Sequence, residues 1–176
     1  MTLTKEYLND LFEYKDGELF YKVNRFRKTI GSKAGSKKPD GRYHVHIKGK
    51  SYLLHRLIFM MHHGYFPEMV DHIDLDNTNN RIENLRAAKH AENAWNSNAR
   101  VDSVSGIKNV KFNPRLKKWQ VNVQANNVRR YLGCYADLEL AELVAMEARN
   151  KYHGQFARHG SLMTAEQAKD FVKELP

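Results

Sequence analysis

The chain of 176 residues has a single cysteine, four prolines and no apolar run long enough to cross a bilayer. Cys134 alone excludes an intrachain disulfide and every Cys-x-x-Cys zinc scheme, so no structural zinc is expected and any metal must be held by His, Asp, Glu or Asn. Such oxygen-rich donors suit a hard ion, magnesium first. The opening MTLTKEYLND lacks a charged stretch leading into an apolar one, which predicts a soluble, cytoplasmic protein with no membrane span. Acid is missing locally as well: residues 105–136 hold seven Lys and Arg and no Asp or Glu. A merely solvated surface usually mixes its signs, so this stretch favours a nucleic-acid face over a one-sided solvated one.

What is present is basic. Lys and Arg number 29 against 20 Asp and Glu, a formal charge of +9 with pI near 9.6, so a polyanion is the default partner and an acidic membrane surface the competitor. Residues 1–50 carry twelve basic and six acidic side chains, 51–100 five and six, 101–150 eight and five. The centre is close to neutral between basic flanks, and the length allows two small domains.

Leu3, Tyr7, Leu8, Leu11 and Phe12 recur at helical spacing behind a Thr2 or Thr4 cap, Asp16-Gly17 marks a turn, and 18–23 is strand-like. The basic, Gly/Ser-containing stretch 25–38 is either a loop that tracks a phosphate backbone or a flexible solvated one. Tyr43, Val45 and Ile47 alternate with His44 and His46, and a Lys48-Gly49 turn leads to a second strand over 51–54. The two histidines read as wet-face residues rather than ligands. A helix over 55–63, apolar through Leu57, Ile58, Met60 and Met61, stops at Gly64.

The run 70–96, VDHIDLDNTNNRIENLRAAKHAENAWN, sets acids on both sides of His72 and a series of asparagines after it. A short strand over 70–73 sends Asp71 and His72 to opposite sides of the backbone, 74–80 is a turn-rich Asp/Asn loop, and 85–88 can return as a second strand. A helix over 89–98 then carries Ala91, Ala94 and Trp95 on one side and brings Asn93 near Asn96. A histidine beside a carboxylate, followed by carboxamides, can hold one divalent cation and one activated water, which is what phosphodiester hydrolysis needs.

Residues 54–96 resemble the HNH, or ββα-metal, nuclease family, and within it the phage and intron-encoded homing endonucleases in which asparagine replaces the closing histidine. The resemblance rests on Asp71-His72, on Asn84 twelve residues later inside the Asn-Asn-Arg-x-x-Asn-Leu pattern, on Asn93 nine further on, and on His55-Arg56-Leu57 upstream. It implies that His72 is the general base for the attacking water and that Asp71 and Asn93 hold one divalent ion. It also implies that Asn84 ties the loop down and orients His72 through a hydrogen bond. Asn93 in place of histidine suits magnesium, with manganese as the alternative, better than zinc. The implied substrate is double-stranded DNA, the products a 5′ phosphate and a 3′ hydroxyl, and the location of a phage-encoded chain the host cytoplasm. Asp74 and Asp76 read as turn-formers, Asp74 near enough to serve as a spare carboxylate.

Residues 99–104 read as a linker. Strands are expected over 107–113, 119–125 and 128–132, followed by a helix to about 152 that Asp137 caps and that presents Leu138, Ala141, Val144, Ala145 and Ala148. Residues 105–160 resemble the plant Apetala/ethylene-response-factor DNA-binding domain through Ser105-Gly106-Ile107, Lys118-Trp119, Tyr131-Leu132-Gly133 and Tyr152-His153-Gly154, with Asn109 where that family commonly has glycine. The resemblance implies that the open sheet face enters the major groove. Period-two counting puts Lys111, Asn113, Asn122, Gln124, Arg129 and Tyr131 on that face, with Lys108 near its start.

The expected architecture is α+β: an HNH domain over 1–98 with its motif at 54–96, the linker 99–104, a three-stranded antiparallel sheet packed on one helix at 105–160, and a tail at 161–176 that can be helical. The expected function is sequence-directed nicking of DNA by a homing-type endonuclease, a monomer on its site. The alternatives are a non-catalytic DNA-binding regulator that keeps an HNH scaffold, and a structure- or RNA-directed nuclease.

Overall fold

The computed structural model describes residues 3–25 and 27–159, so the tail at 161–176 lies outside the described residues. The architecture is α+β, and the chain divides into two compact units, Met1–His90 and Ala91–Pro176, each with its own core. The division falls ahead of 99–104.

In the first unit, α1 (Lys5–Leu11) starts where the Thr4 hydroxyl accepts from Tyr7 N at 3.2 Å, and it buries Leu8 and Leu11. β1 (Phe12–Lys15) and β2 (Glu18–Tyr21) form an antiparallel hairpin around Asp16-Gly17. The basic stretch after it is partly pinned. Lys33 pairs with Glu18, single bridges join Phe20 to Lys33 and Arg25 to Lys28, and β3 (Ser36–Lys37) pairs with β4 (Tyr43–Ile47). β4 also pairs with β5 (Lys50–Leu53). His44 bonds Asp40 Oδ2 and Ser51 Oγ, each at 3.2 Å, and His46 is exposed.

α2 (Leu54–His63) is the centre of this unit. It buries seven of its ten residues, from Leu54 to Met61, against Leu8, Leu11, Phe12, Leu19, Val45 and Ile47. Gly64, at φ +82°, ends it with its N–H on Met60 O. Arg56 leaves this helix to donate to the carbonyls of Pro67 (2.8 Å) and Glu68 (3.0 Å), which fixes the approach to β6 (Met69–His72). β6 ends one residue earlier than its sequence suggests, because Ile73 leaves the ladder and donates to Asn84 O. After a 3-10 turn at Ile82–Asn84, β7 (Leu85–Ala88) returns antiparallel to β6 and leads to α3 (His90–Trp95).

The second unit contains β8 (Val110–Asn113), β9 (Lys118–Ala125) and β10 (Val128–Tyr135) in the order β10-β9-β8, then α4 (Leu138–His153). β8 starts three residues later than expected because Asn109 takes the left-handed conformation, φ +72°, which asparagine tolerates better than most residues. Asn126 and Asn127, both at positive φ, make the two-residue turn whose twist suits a hairpin. Trp119, Val121, Val123 and Ala125 point inward from β9, and the core gathers Trp119 and Val121 with Ile107, Val110, Leu138, Ala141 and Ala145. Asp137 caps α4 by accepting from Glu139 N at 2.7 Å and Leu140 N at 3.3 Å.

Candidate active site

The β6–β7 register sets Asp71 opposite Arg86 and His72 opposite Leu85. Asp71 and His72 are both buried. Arg86 places Nε and Nη2 on Asp71 Oδ2, each at 2.8 Å, so the carboxylate is charge-compensated where water reaches it little. The His72 ring meets His55 edge-on, centroids 4.8 Å apart. Burial pushes His55 down to about 3, helped by repulsion from His72, Arg42 and Arg56, which keeps it neutral through the physiological range. His72 Nε2 lies 3.0 Å from Oδ1 of Asn80, itself buried.

The loop from 73 to 84 is held by its own carboxylates and amides. Asp74 Oδ1 accepts from Asp76 N and Asn84 Nδ2, each at 2.8 Å, and Oδ2 accepts from Asn79 Nδ2 at 2.7 Å. Burial raises the Asp74 carboxyl, but the bonds from Asn79, Asn84 and Asp76 outweigh it and hold the group below its usual range. Asp76 Oδ1 accepts from the Thr78 hydroxyl and amide, which lower it likewise. Asp74 is therefore a turn-former whose oxygens are spent inside the loop.

For Asn84 the structure departs from one part of the expectation, the hydrogen bond to His72. Its Oδ1 accepts from Asp74 N at 3.0 Å and its Nδ2 donates to Asp74 and Asn79, so it stitches the loop, while His72 Nε2 donates to Oδ1 of Asn80. Asn80 and Arg86 are the residues that sequence reasoning missed. Asn80 stood in the Asn-Asn-Arg run, whereas Arg86 becomes visible only through the strand register.

Asn93 lies on α3 in the second unit. Among the described residues no group of three or more His, Cys, Asp or Glu forms a metal cage.

In the second unit the register gathers a polar face. Lys111 opposes Gln120, Asn113 opposes Lys118, Asn122 opposes Tyr131, and Gln124 opposes Arg129. Asn113 Oδ1 accepts from Leu116 N and so also shapes the turn. A bulge between Tyr131 and Gly133 adds Cys134 to the face, 3.4 Å from the Tyr131 hydroxyl. Lys108 does not belong to it. Its ammonium donates to the carbonyls of Ala94 (3.2 Å), Trp95 (2.7 Å) and Ser97 (2.6 Å), capping the end of α3, and burial, with repulsion from Arg149 and Arg158, lowers it to about 8. The lysine read as a DNA contact is a structural cap because the last carbonyls of α3 take up its donors.

No helix among the described residues is long and apolar enough to cross a membrane. No solved structure matches the chain. The model of a family described as HNH endonuclease matches residues 52–95, which span α2, β6, β7 and α3. Protein 3.8 of Escherichia phage T7 is 33% identical over 97 residues, covering 54% of this chain and 75% of that protein. With its buried Asp71-His72 pair inside the matched segment, the chain belongs to the HNH endonuclease family.

Proposed function

We propose that the protein is a site-directed, homing-type DNA endonuclease that nicks duplex DNA as a monomer, with His72 as general base. The observation that carries this reading is the buried Asp71-His72 pair at the end of β6, inside the HNH match. Asp71 and Asn93 would hold one divalent ion, magnesium or manganese, which when bound supplies Lewis acidity and a template at the departing 3′ oxygen. His72 accepts the proton of the attacking water. Arg86 compensates Asp71 and fixes its carboxylate, and Asn84 keeps the loop compact. Target selection falls to the second unit, which resembles an Apetala-like domain: Lys111 and Arg129 suit guanine or phosphates, and Asn122 and Gln124 suit adenine edges. Tyr131 and the Nδ2 group of Asn113 complete the face.

The test is nicking of supercoiled DNA in magnesium. His72→Ala should abolish it while gel-shift affinity is unchanged, and full residual activity in that variant would sink the mechanism. One observation favours a second reading, a DNA-binding regulator that retains the scaffold: Asp71 is already neutralised by Arg86, as a bracing residue would be. Binding that EDTA leaves unaffected, with no cleavage of any DNA, would select it.

A further inference from the structure

We propose that Asn80 is the positioning residue for His72, and that the β1–β2 turn at Gly17 holds Asn80 in place. An amide oxygen can only accept, so the contact between Asn80 Oδ1 and His72 Nε2 requires the ring proton on Nε2 and leaves Nδ1 as the acceptor nitrogen, the form a general base needs. The orientation of the amide is set from its other end. Nδ2 donates to Thr78 O at 3.3 Å, and the flipped amide would face that carbonyl with an oxygen. His72 and Asn80 are 6% and 4% exposed as residues, so water competes little for the bond.

The N-terminal hairpin presses on the same stretch of backbone at two points. A Cβ at Gly17, where φ is +85°, would stand 2.8 Å from Arg81 N and 2.9 Å from the Asn80 carbonyl carbon. Three residues before Gly17, the Tyr14 hydroxyl accepts from Ile82 N at 3.0 Å. The contacts fall on either side of Arg81, directly after Asn80. A hairpin far from the HNH motif in sequence thus sets the ring state of His72 through Asn80.

The catalytic consequence rests on the nuclease reading, while the ring state rests on geometry alone. The test therefore has two arms on the full chain. Two-bond proton–nitrogen NMR correlations at about pH 8.5, where an ordinary imidazole is neutral, identify the protonated nitrogen of His72. The wild type should show Nε2–H, Asn80→Ala a mixture with Nδ1–H, and Asn80→Asp, whose carboxylate also accepts, Nε2–H again. In the nicking assay Asn80→Ala and Gly17→Ala should lower kcat about 10- to 100-fold at unchanged DNA affinity, with Asn80→Asp recovering most of it. Tyr14→Phe, which removes one acceptor and keeps the ring, covers the case in which Asn80→Ala does not fold, and should shift the His72 ring resonances. A wild-type ring carrying Nδ1–H overturns the proposal, as does an Asn80→Ala variant with ring state and kcat unchanged. If the ring arm behaves and the wild type cuts no DNA, the nuclease reading falls and the positioning role stands.

Discussion

His55 makes the first unit acid-sensitive by an amount that the structure sets. In the unfolded chain its imidazole has the ordinary value near 6.5, and in the fold burial holds it at about 3. Above pH 6.5 both states are neutral and the full stability is present; as pH falls, the unfolded chain takes up a proton that the folded one refuses, and stability is lost until about pH 3. The slope is about 1.4 kcal/mol per pH unit, so His55 should cost about 2 kcal/mol by pH 5 and at most about 4.8 kcal/mol at the end of the window. His55 is 5% exposed, which leaves little solvent to soften the effect. The assay is urea unfolding by far-UV circular dichroism between pH 7 and 5, wild type against His55→Leu. Trp95 and Trp119 both belong to the second unit, so tryptophan fluorescence follows that unit separately. If wild type and variant lose stability in parallel, or the His55 ring protons titrate near 6.5, the reasoning fails.

Lys108→Met should shift the tryptophan-detected unfolding by about 1–3 kcal/mol, by leaving the carbonyls of Ala94, Trp95 and Ser97 without their donor, and should leave the salt dependence of DNA binding unchanged. A fall of about one in the slope of log affinity against log salt would instead return Lys108 to the DNA face. Asp137→Ala should cost about 0.5–2 kcal/mol in the same experiment, through loss of the α4 cap. Arg129→Ala should weaken specific DNA binding by about 1–3 kcal/mol and relax preference at one base pair if it reads guanine; a uniform loss across sequences would make it a phosphate contact.

Part of this structure is written into alternate positions of the sequence. A sheet with one covered face shows Trp119, Val121, Val123 and Ala125 against Asn122 and Gln124, so the faces of β9 can be counted from the sequence. Asp137 and Gly64 mark helix ends because each supplies a local hydrogen bond or conformation that a helix terminus needs. Residues whose role depends on distant partners are not visible in this way. Lys108 reads as charge, since the carbonyls it caps lie 11 to 14 positions away and converge only where α3 stops. Asn80 and Asn84 are the same residue type in one short run, and it is the 3-10 turn at Ile82–Asn84 that leaves Asn84 bonded to the loop rather than to His72. Period-two counting also breaks at the β10 bulge, which is why Cys134 joins Tyr131 on the polar face.

The Asp71–Arg86 pair also limits how this chain can change over time. Replacing Arg86 alone takes the guanidinium away from the buried Asp71 carboxylate, so a single replacement costs more than replacing both by well-packed apolar residues. A double-mutant cycle on the two should be strongly non-additive, with the paired change milder than the sum of the single ones. Sequence drift that keeps the fold should therefore lose the two together, and a descendant that has dropped both would keep the β6–β7 ribbon without the Asp71 carboxylate.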